Sequence, residues 1–324
     1  MSVPPSNHRL RNNVHTKLAA LLDGGQLAVP PRAVRDYLAD QRLIAQIAQQ
    51  YRAQQPGVPT GGRAAIITAG VPGAGKSSAL GALVAGYRRI DPDDIKDILL
   101  ARLDTAGLLD ARRDHVLADG NSVSPGELAG WVHRASTDVA DRVRTASLQL
   151  GENFVMEGTL SWHELPISYV DELALGGYER LAILDIEVPL TVAIQQSKRR
   201  WWEERRSGRL TYGVQIGGRF IAESVLAQLY SGPHTASACA ANARSLYSNA
   251  NDAGIQSEIL IISRTATGAE YKARLAPNGD VQPWQGASLG AVCVKCGAVL
   301  KSPSTILKGV GPGCTHGRRA AGAE

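Results

Sequence analysis

Apolar residues recur at helical spacing through the first part of the chain. Residues 9–22 and 32–52 carry them (Val34, Leu38, Leu43, Ile44, Ile47), which predicts two helices, the second opened by Pro30-Pro31. The stretch QQPGVPTGG at 54–62 breaks this pattern as a linker does. At 63–69 the pattern changes to a short unbroken apolar run, RAAIITA, the signature of a buried strand. A Gly-rich turn and an Ala/Leu helix over about 76–86 follow. Further strands are predicted at 87–91, 153–156, 181–188 and 258–263. Helices are predicted after Pro92, over 126–150, and at roughly 190–206 and 218–250, with a polar loop at 104–124. Gly151 stands where a helix commonly stops. Strands alternating with helices predict an α/β fold, a parallel sheet with helices on both faces.

Composition narrows the class. At 44% hydrophobic and 20% charged, the 324-residue chain has enough apolar material for a folded body, and disorder as a global state is excluded. With 2 Phe and 2 Met, the core has to be built from Ala, Leu, Val and Ile. No run approaches the ~18 apolar residues of a membrane span, and the start MSVPPSNHRLRNN has no apolar secretory segment. A cytoplasmic protein with no membrane partner is the expectation. The net charge of +5 suits an anionic ligand.

The segment Gly70-Val71-Pro72-Gly73-Ala74-Gly75-Lys76-Ser77-Ser78 fits G-x-x-x-x-G-K-[ST] in full. Its glycines let successive backbone N–H groups turn toward phosphate oxygens, and the following helix adds its positive end. Lys76 supplies a cation for the β/γ-phosphates and Ser77 a hydroxyl for Mg²⁺. A strand precedes the motif and a helix follows, as the chemistry requires. A guanine-reading N-K-x-D is absent from the sequence, which favours ATP.

A kinase also needs a base for the acceptor hydroxyl and cations for the transferring group. Ile90-Asp91-Pro92-Asp93-Asp94 lies just past the second strand, at the sheet edge where α/β ligands bind. The same carboxylates also suit a helix N-terminus. Glu157-Gly158-Thr159 follows the third strand directly, and a Glu there either bonds a substrate hydroxyl or organises Mg²⁺ through water. The helix around Lys198-Arg199-Arg200-Trp201-Trp202-Glu203-Glu204-Arg205-Arg206, with Gly217-Gly218-Arg219 beyond it, reads as a phosphate-clamping lid. As a plain solvated helix it would pair Arg200 with Glu204. As a nucleic-acid face it would offer Trp201 and Trp202 for stacking.

Together AGVPGAGKSS, RIDPDDIK, NFVMEGTL and an arginine-bearing lid resemble the zeta toxin family, P-loop kinases that phosphorylate UDP-N-acetylglucosamine and count chloramphenicol phosphotransferase among their relatives. The likeness covers roughly residues 60–265. It implies that Lys76 and Ser77 hold ATP and Mg²⁺, that Asp93 is the base on the sugar 3′-hydroxyl with Asp94 beside it, and that Glu157 and Thr159 contact the sugar nucleotide. Arg200 and Arg219 match its lid arginines, and Asp141 takes the place of a substrate-binding Glu. It also implies a toxin with a neutralising antitoxin partner. Leu160-Ser161-Trp162 stands where many members carry an Arg, and the lid arginines are further apart than the family pattern. The acceptor is therefore open: an antibiotic, a nucleoside or a nucleic-acid end are alternatives, and a nucleotide-dependent nucleic-acid-binding module is another.

After a Pro/Gly-punctuated stretch at 277–290 comes Cys293-x-x-Cys296, then Cys314 and His316. Thiolates and imidazole are zinc's preferred ligands, so the tail is expected to fold on a structural Zn²⁺. Its Lys and Arg residues make nucleic acid a further, less favoured partner. Cys239, in an Ala-rich helix, reads as a core residue. The expected organisation is a helical extension at 1–60, a P-loop kinase domain at 61–276 and a zinc-ribbon-like tail at 277–324.

Overall fold

The computed structural model describes residues 5–81, 85–232, 236–276 and 278–284. Its first elements are α1 (Pro5–Leu22), α2 (Arg32–Leu38), α3 (Gln41–Ala53), β1 (Ala64–Ala69), α4 (Lys76–Leu80), β2 (Arg88–Ile90) and α5 (Pro92–Thr105). Next come α6 (His133–Leu150), β3 (Phe154–Met156), α7 (Leu165–Leu175), β4 (Arg180–Glu187), α8 (Leu190–Ser207), β5 (Leu210–Thr211) and β6 (Val214–Gln215). The last are α9 (Glu223–Ala227), α10 (Ala238–Asp252), β7 (Gln256–Arg264), β8 (Glu270–Leu275) and β9 (Val281–Pro283).

The chain forms two compact units, each drawn from three stretches of sequence. One comprises the described residues of Tyr51–Asp91, Arg142–Ala193 and those from Ala227 to Trp284. Its seven-stranded sheet has the order β2-β3-β1-β4-β7-β8-β9. The first five strands run parallel, and β8 and β9 extend the sheet antiparallel. Every residue of β1 is buried, as its unbroken apolar run requires. Ile66, Leu184, Ile186 and Leu260 build a core on one face of the sheet with Val71, Ala74 and Cys239. Cys239 is thus the core residue the sequence predicts, and burial pushes its thiol up to about 11. The edge strand β2 is pinned by charge: Glu152 accepts both Arg52 at 2.8 Å and Arg88 at 2.9 Å.

The other unit comprises the described residues from Pro5 to Gln50, Pro92–Asp141 and Ile194–Leu226. It is helical, with the small β5–β6 hairpin. At its centre Arg205 forks onto Glu127 (2.7 Å) and Asp119 (2.8 Å), all three almost wholly buried. Trp201 donates its ring N–H to Glu127 at 2.8 Å. The charged helix therefore buries Trp201 and Trp202 in the core, where no base can stack on them. Trp201 lies edge-on to His15 and Phe220, and burial followed by the Lys198 charge lowers the His15 pKa to about 4.

All five predicted parallel strands are present. Several boundaries differ for local reasons. The stretch 32–52 is two helices because Asp40 accepts the Arg42 N–H at 2.8 Å and starts a new one. The stretch 126–150 opens as a 3₁₀ segment, Pro125–Val132, because Leu128 leaves helical backbone (φ −93°, ψ 16°). The stretch 218–250 is α9 and α10, the latter begun by Ser237, whose hydroxyl accepts the Ala240 N–H at 3.2 Å. Helix α7 and strands β8 and β9 have no counterpart in the periodicity; β8 is almost entirely exposed or half-buried, so it shows no apolar stripe.

Candidate nucleotide and phosphotransfer residues

Strand β1 delivers the chain into the Gly-rich turn. Gly70 has φ 134°, and a Cβ there would lie 2.5 Å from the Ile186 carbonyl oxygen, so only glycine fits. Gly75, at φ 92°, turns the chain into α4. The Lys76 ammonium donates to the carbonyl oxygens of Gly70 (2.7 Å) and Val71 (3.1 Å), which hold it across the mouth of its own loop. Pro72 is half-buried, Ala74 buried, and Ser77 and Ser78 face solvent.

The Ser77 hydroxyl donates to Glu157 at 3.0 Å. Glu157 is 4% exposed and stands directly past β3, its backbone N–H bonded to Ile90 at 2.8 Å. Its other carboxylate oxygen takes Arg89, which also bonds Asp91 at 2.8 Å. The turn after Glu157 is stitched to the P-loop: Thr68 exchanges hydrogen bonds with Gly158, and Gly70 donates its N–H to Thr159 at 3.1 Å. Thr159 and Ser161 share a hydroxyl contact of 2.9 Å. Sequence reading picked out Glu157, Thr159 and the P-loop, and the structure brings them together. It did not find Arg89, the cation that bridges Glu157 and Asp91.

In the helical unit, Asp93 sits in the first turn of α5. Lys96 donates to it at 3.0 Å, and Arg219 lies 3.7 Å from its carboxylate and bonds its backbone carbonyl at 3.1 Å. Burial works to raise its pKa, but Lys96 and Arg219, with Arg200 behind them, hold the carboxyl well below the ordinary range. One turn along α5, Asp97 is 3% exposed. It takes a bidentate pair from Arg209 (2.6 and 3.1 Å) and a bond from Arg219 (2.9 Å). Asp97 and Arg209 were also missed. The signal for Asp97 was legible: it stands four residues after Asp93, on the same side of the helix.

The two expected lid arginines are placed differently. Arg219 is in the Asp93–Asp97 cluster. Arg200 is half-exposed and bonds Glu204 at 3.1 Å, the solvated helix pair. Asp94 and Asp141 are half-buried, on α5 and α6. The expected zinc ligands Cys293, Cys296, Cys314 and His316, and the basic tail around them, lie outside the described residues.

A parallel sheet with a Gly-rich loop after its central strand and a buried carboxylate after the neighbouring strand defines a P-loop kinase-type nucleotide-binding fold. Within that class the chain belongs to the zeta toxin family, whose model matches residues 48–244. Three solved structures illustrate the likeness. The AvrRxo1-ORF1:ORF2 complex is 15% identical with a TM-score of 0.44, over 76% of this chain and 73% of that one. The PezAT toxin-antitoxin system of Streptococcus pneumoniae is 15% identical with a TM-score of 0.43, over 72% and 82%. AvrRxo1-ORF1:ORF2 with ATP is 16% identical with a TM-score of 0.40, over 87% and 75%. None of the curated proteins matches the chain. Among the described residues, no helix is long and apolar enough to cross a membrane.

Proposed function

We propose that the protein transfers the γ-phosphate of ATP to a hydroxyl of UDP-N-acetylglucosamine. The observation that carries the reading is the 3.0 Å contact between the P-loop Ser77 and the buried Glu157. It sets two hard oxygen donors side by side at a phosphate-binding loop, as Mg²⁺ requires. Of the two roles open to Glu157, this contact favours organising the cation. Ser77 and Glu157 would hold Mg²⁺, which when bound neutralises charge on the β- and γ-phosphates. Lys76 would exchange its loop carbonyls for the same phosphate oxygens.

Asp93, kept ionised by Lys96 and Arg219, is the proposed base. The acceptor O–H bond breaks as its proton passes to the Asp93 carboxylate. The acceptor oxygen bonds the γ-phosphorus, and the bond from that phosphorus to ADP breaks. Arg219 and Arg200 stabilise the transferring group's charge. Asp94, Asp141 and Thr159 are proposed acceptor contacts. An antitoxin is the proposed protein partner, on the strength of the family.

The test is transfer of labelled γ-phosphate from ATP with Mg²⁺, with and without UDP-N-acetylglucosamine. The expected result is label on the sugar nucleotide, lost in Lys76→Ala. Asp93→Asn should bind ATP normally and lose transfer by roughly 10²–10⁴-fold. Label on a nucleoside or antibiotic instead would keep the kinase and replace the acceptor, a reading that Leu160-Ser161-Trp162 in the arginine's place favours. Full activity of Asp93→Asn would remove it as the base.

A further inference from the structure

Arg264 ends β7 on the same sheet edge as the P-loop, two strands from β1, and no role assigned so far uses it. Its Nη1 donates to the Ala74 carbonyl oxygen at 2.7 Å, and its Nε to Glu270 at 2.9 Å. Arg264 and Glu270 are register partners where β7 turns into β8, so the hairpin fixes the pair. The Arg264 side chain is 22% exposed, and its Nη2 has no hydrogen-bond partner among the described residues. A Cβ on Gly75 would collide with the guanidinium, so the glycine that opens α4 also makes room for this arginine.

The loop's N–H groups, α4 and Lys76 form the phosphate cradle. Arg264 holds a carbonyl, the side of the peptide that faces away from an anion. It therefore stands beside the cradle rather than in it. A nucleoside triphosphate is longer than its phosphates, and its ribose and base must leave along the carboxyl edge of the sheet. On the β3–β2 side that edge is occupied by Glu157, the proposed cation holder, and by Arg89 and Asp91, which are tied to each other and, through Arg89, to Glu157. On the β4–β7 side it carries Arg264. A guanidinium held by two acceptors is a rigid planar cation suited to the face of a heteroaromatic ring and to ribose oxygens. Its rotamer is already fixed, so little ordering cost remains on binding.

We infer that Arg264 is a nucleotide-binding residue that receives the ribose and base of the bound nucleoside triphosphate. The inference rests on the P-loop reading above and deepens it.

The test compares equilibrium binding of Mg-ATP and Mg-tripolyphosphate to the full chain, for wild type, Arg264→Ala, Arg264→Lys and Lys76→Ala. Thermal melts confirm that each variant is folded. Both Arg264 variants should weaken Mg-ATP about tenfold and leave tripolyphosphate within about twofold, since a lysine keeps the charge and loses the plane. Lys76→Ala should weaken both ligands. Equal losses for the two ligands in the Arg264 variants would make Arg264 a prop for the P-loop and overturn the inference. So would full rescue by lysine, or unchanged ATP affinity. Wild type that binds neither ligand would remove the P-loop reading itself. Wild type that binds both, with Arg264→Ala indistinguishable from it, would remove only the inference.

Discussion

In the sheet unit, Gly70, Gly73, Gly75, Lys76 and Ser77 lie within eight consecutive residues, and the backbone between β1 and α4 sets their geometry. In the helical unit, Asp97 and Arg209 are 112 residues apart in sequence and meet at 2.6 Å. The first cluster is a local motif whose three glycines all have positive φ. The second joins α5 to segments more than a hundred residues further along, in the same unit as the buried Arg205–Glu127–Asp119 group and the ring contacts of His15, Trp201 and Phe220. A local motif withstands change elsewhere in the chain. A cluster of long-range ion pairs is set by each of its members.

The sharpest way to break the second cluster is Asp97→Asn. Two guanidinium groups, Arg209 and Arg219, lose their shared carboxylate in a part-buried setting. A loss of roughly 3 kcal/mol in denaturant unfolding is expected, since removing one partner leaves uncompensated charge. Transfer should fall in kcat far more than ATP affinity falls, because the P-loop is local. Equal losses in both would show that the two clusters are not independent in this way.

A smaller and opposite effect is expected in the sheet unit at Asp185. It is fully buried on β4 beside Ala69, with the Glu187 carboxyl two residues along the strand as its charged neighbour. Burial, and then the charge of Glu187 two residues on, push its carboxyl well above the ordinary range. The folded state then keeps a proton that the unfolded state releases near pH 4, so stability falls as pH rises above that value. Asp185→Val should stabilise by about 1 kcal/mol, with a larger gain in Tm at pH 8 than at pH 5. A gain independent of pH, or a loss, would contradict this account.

The smallest effect belongs to Arg200→Gln. The Arg200–Glu204 pair is a surface i,i+4 contact, and its loss should change stability by under about 0.5 kcal/mol. Any fall in transfer should be smaller than that of Asp97→Asn. Some loss of kcat is expected because Arg200 is one of the two cations proposed for the transferring group; transfer at the wild-type rate would remove Arg200 from that role and leave it to Arg219.

What sequence alone determined about this protein is what depends on neighbours along the chain. Strands β1 and β3 and the middles of β4 and β7 were legible because they are buried on both faces and largely apolar; β2, Arg88-Arg89-Ile90, has no such run. The P-loop was legible because its glycines and Lys76 act through local backbone geometry. Glu157 was legible because a strand ends just before it. Tertiary structure alone decided which arginine meets which carboxylate. In the run Arg199, Arg200, Arg205, Arg206 and Arg209, all five carry the same charge, and helix periodicity does not say which is buried. Packing put Arg205 in the core, turned Arg200 to solvent and aimed Arg209 at Asp97. The same holds for Arg264, one arginine at the end of a strand until β7 and β1 are two places apart in a sheet. The physical reason is range: backbone conformation is fixed within a few residues, whereas a charge finds its partner only after the chain between them has folded.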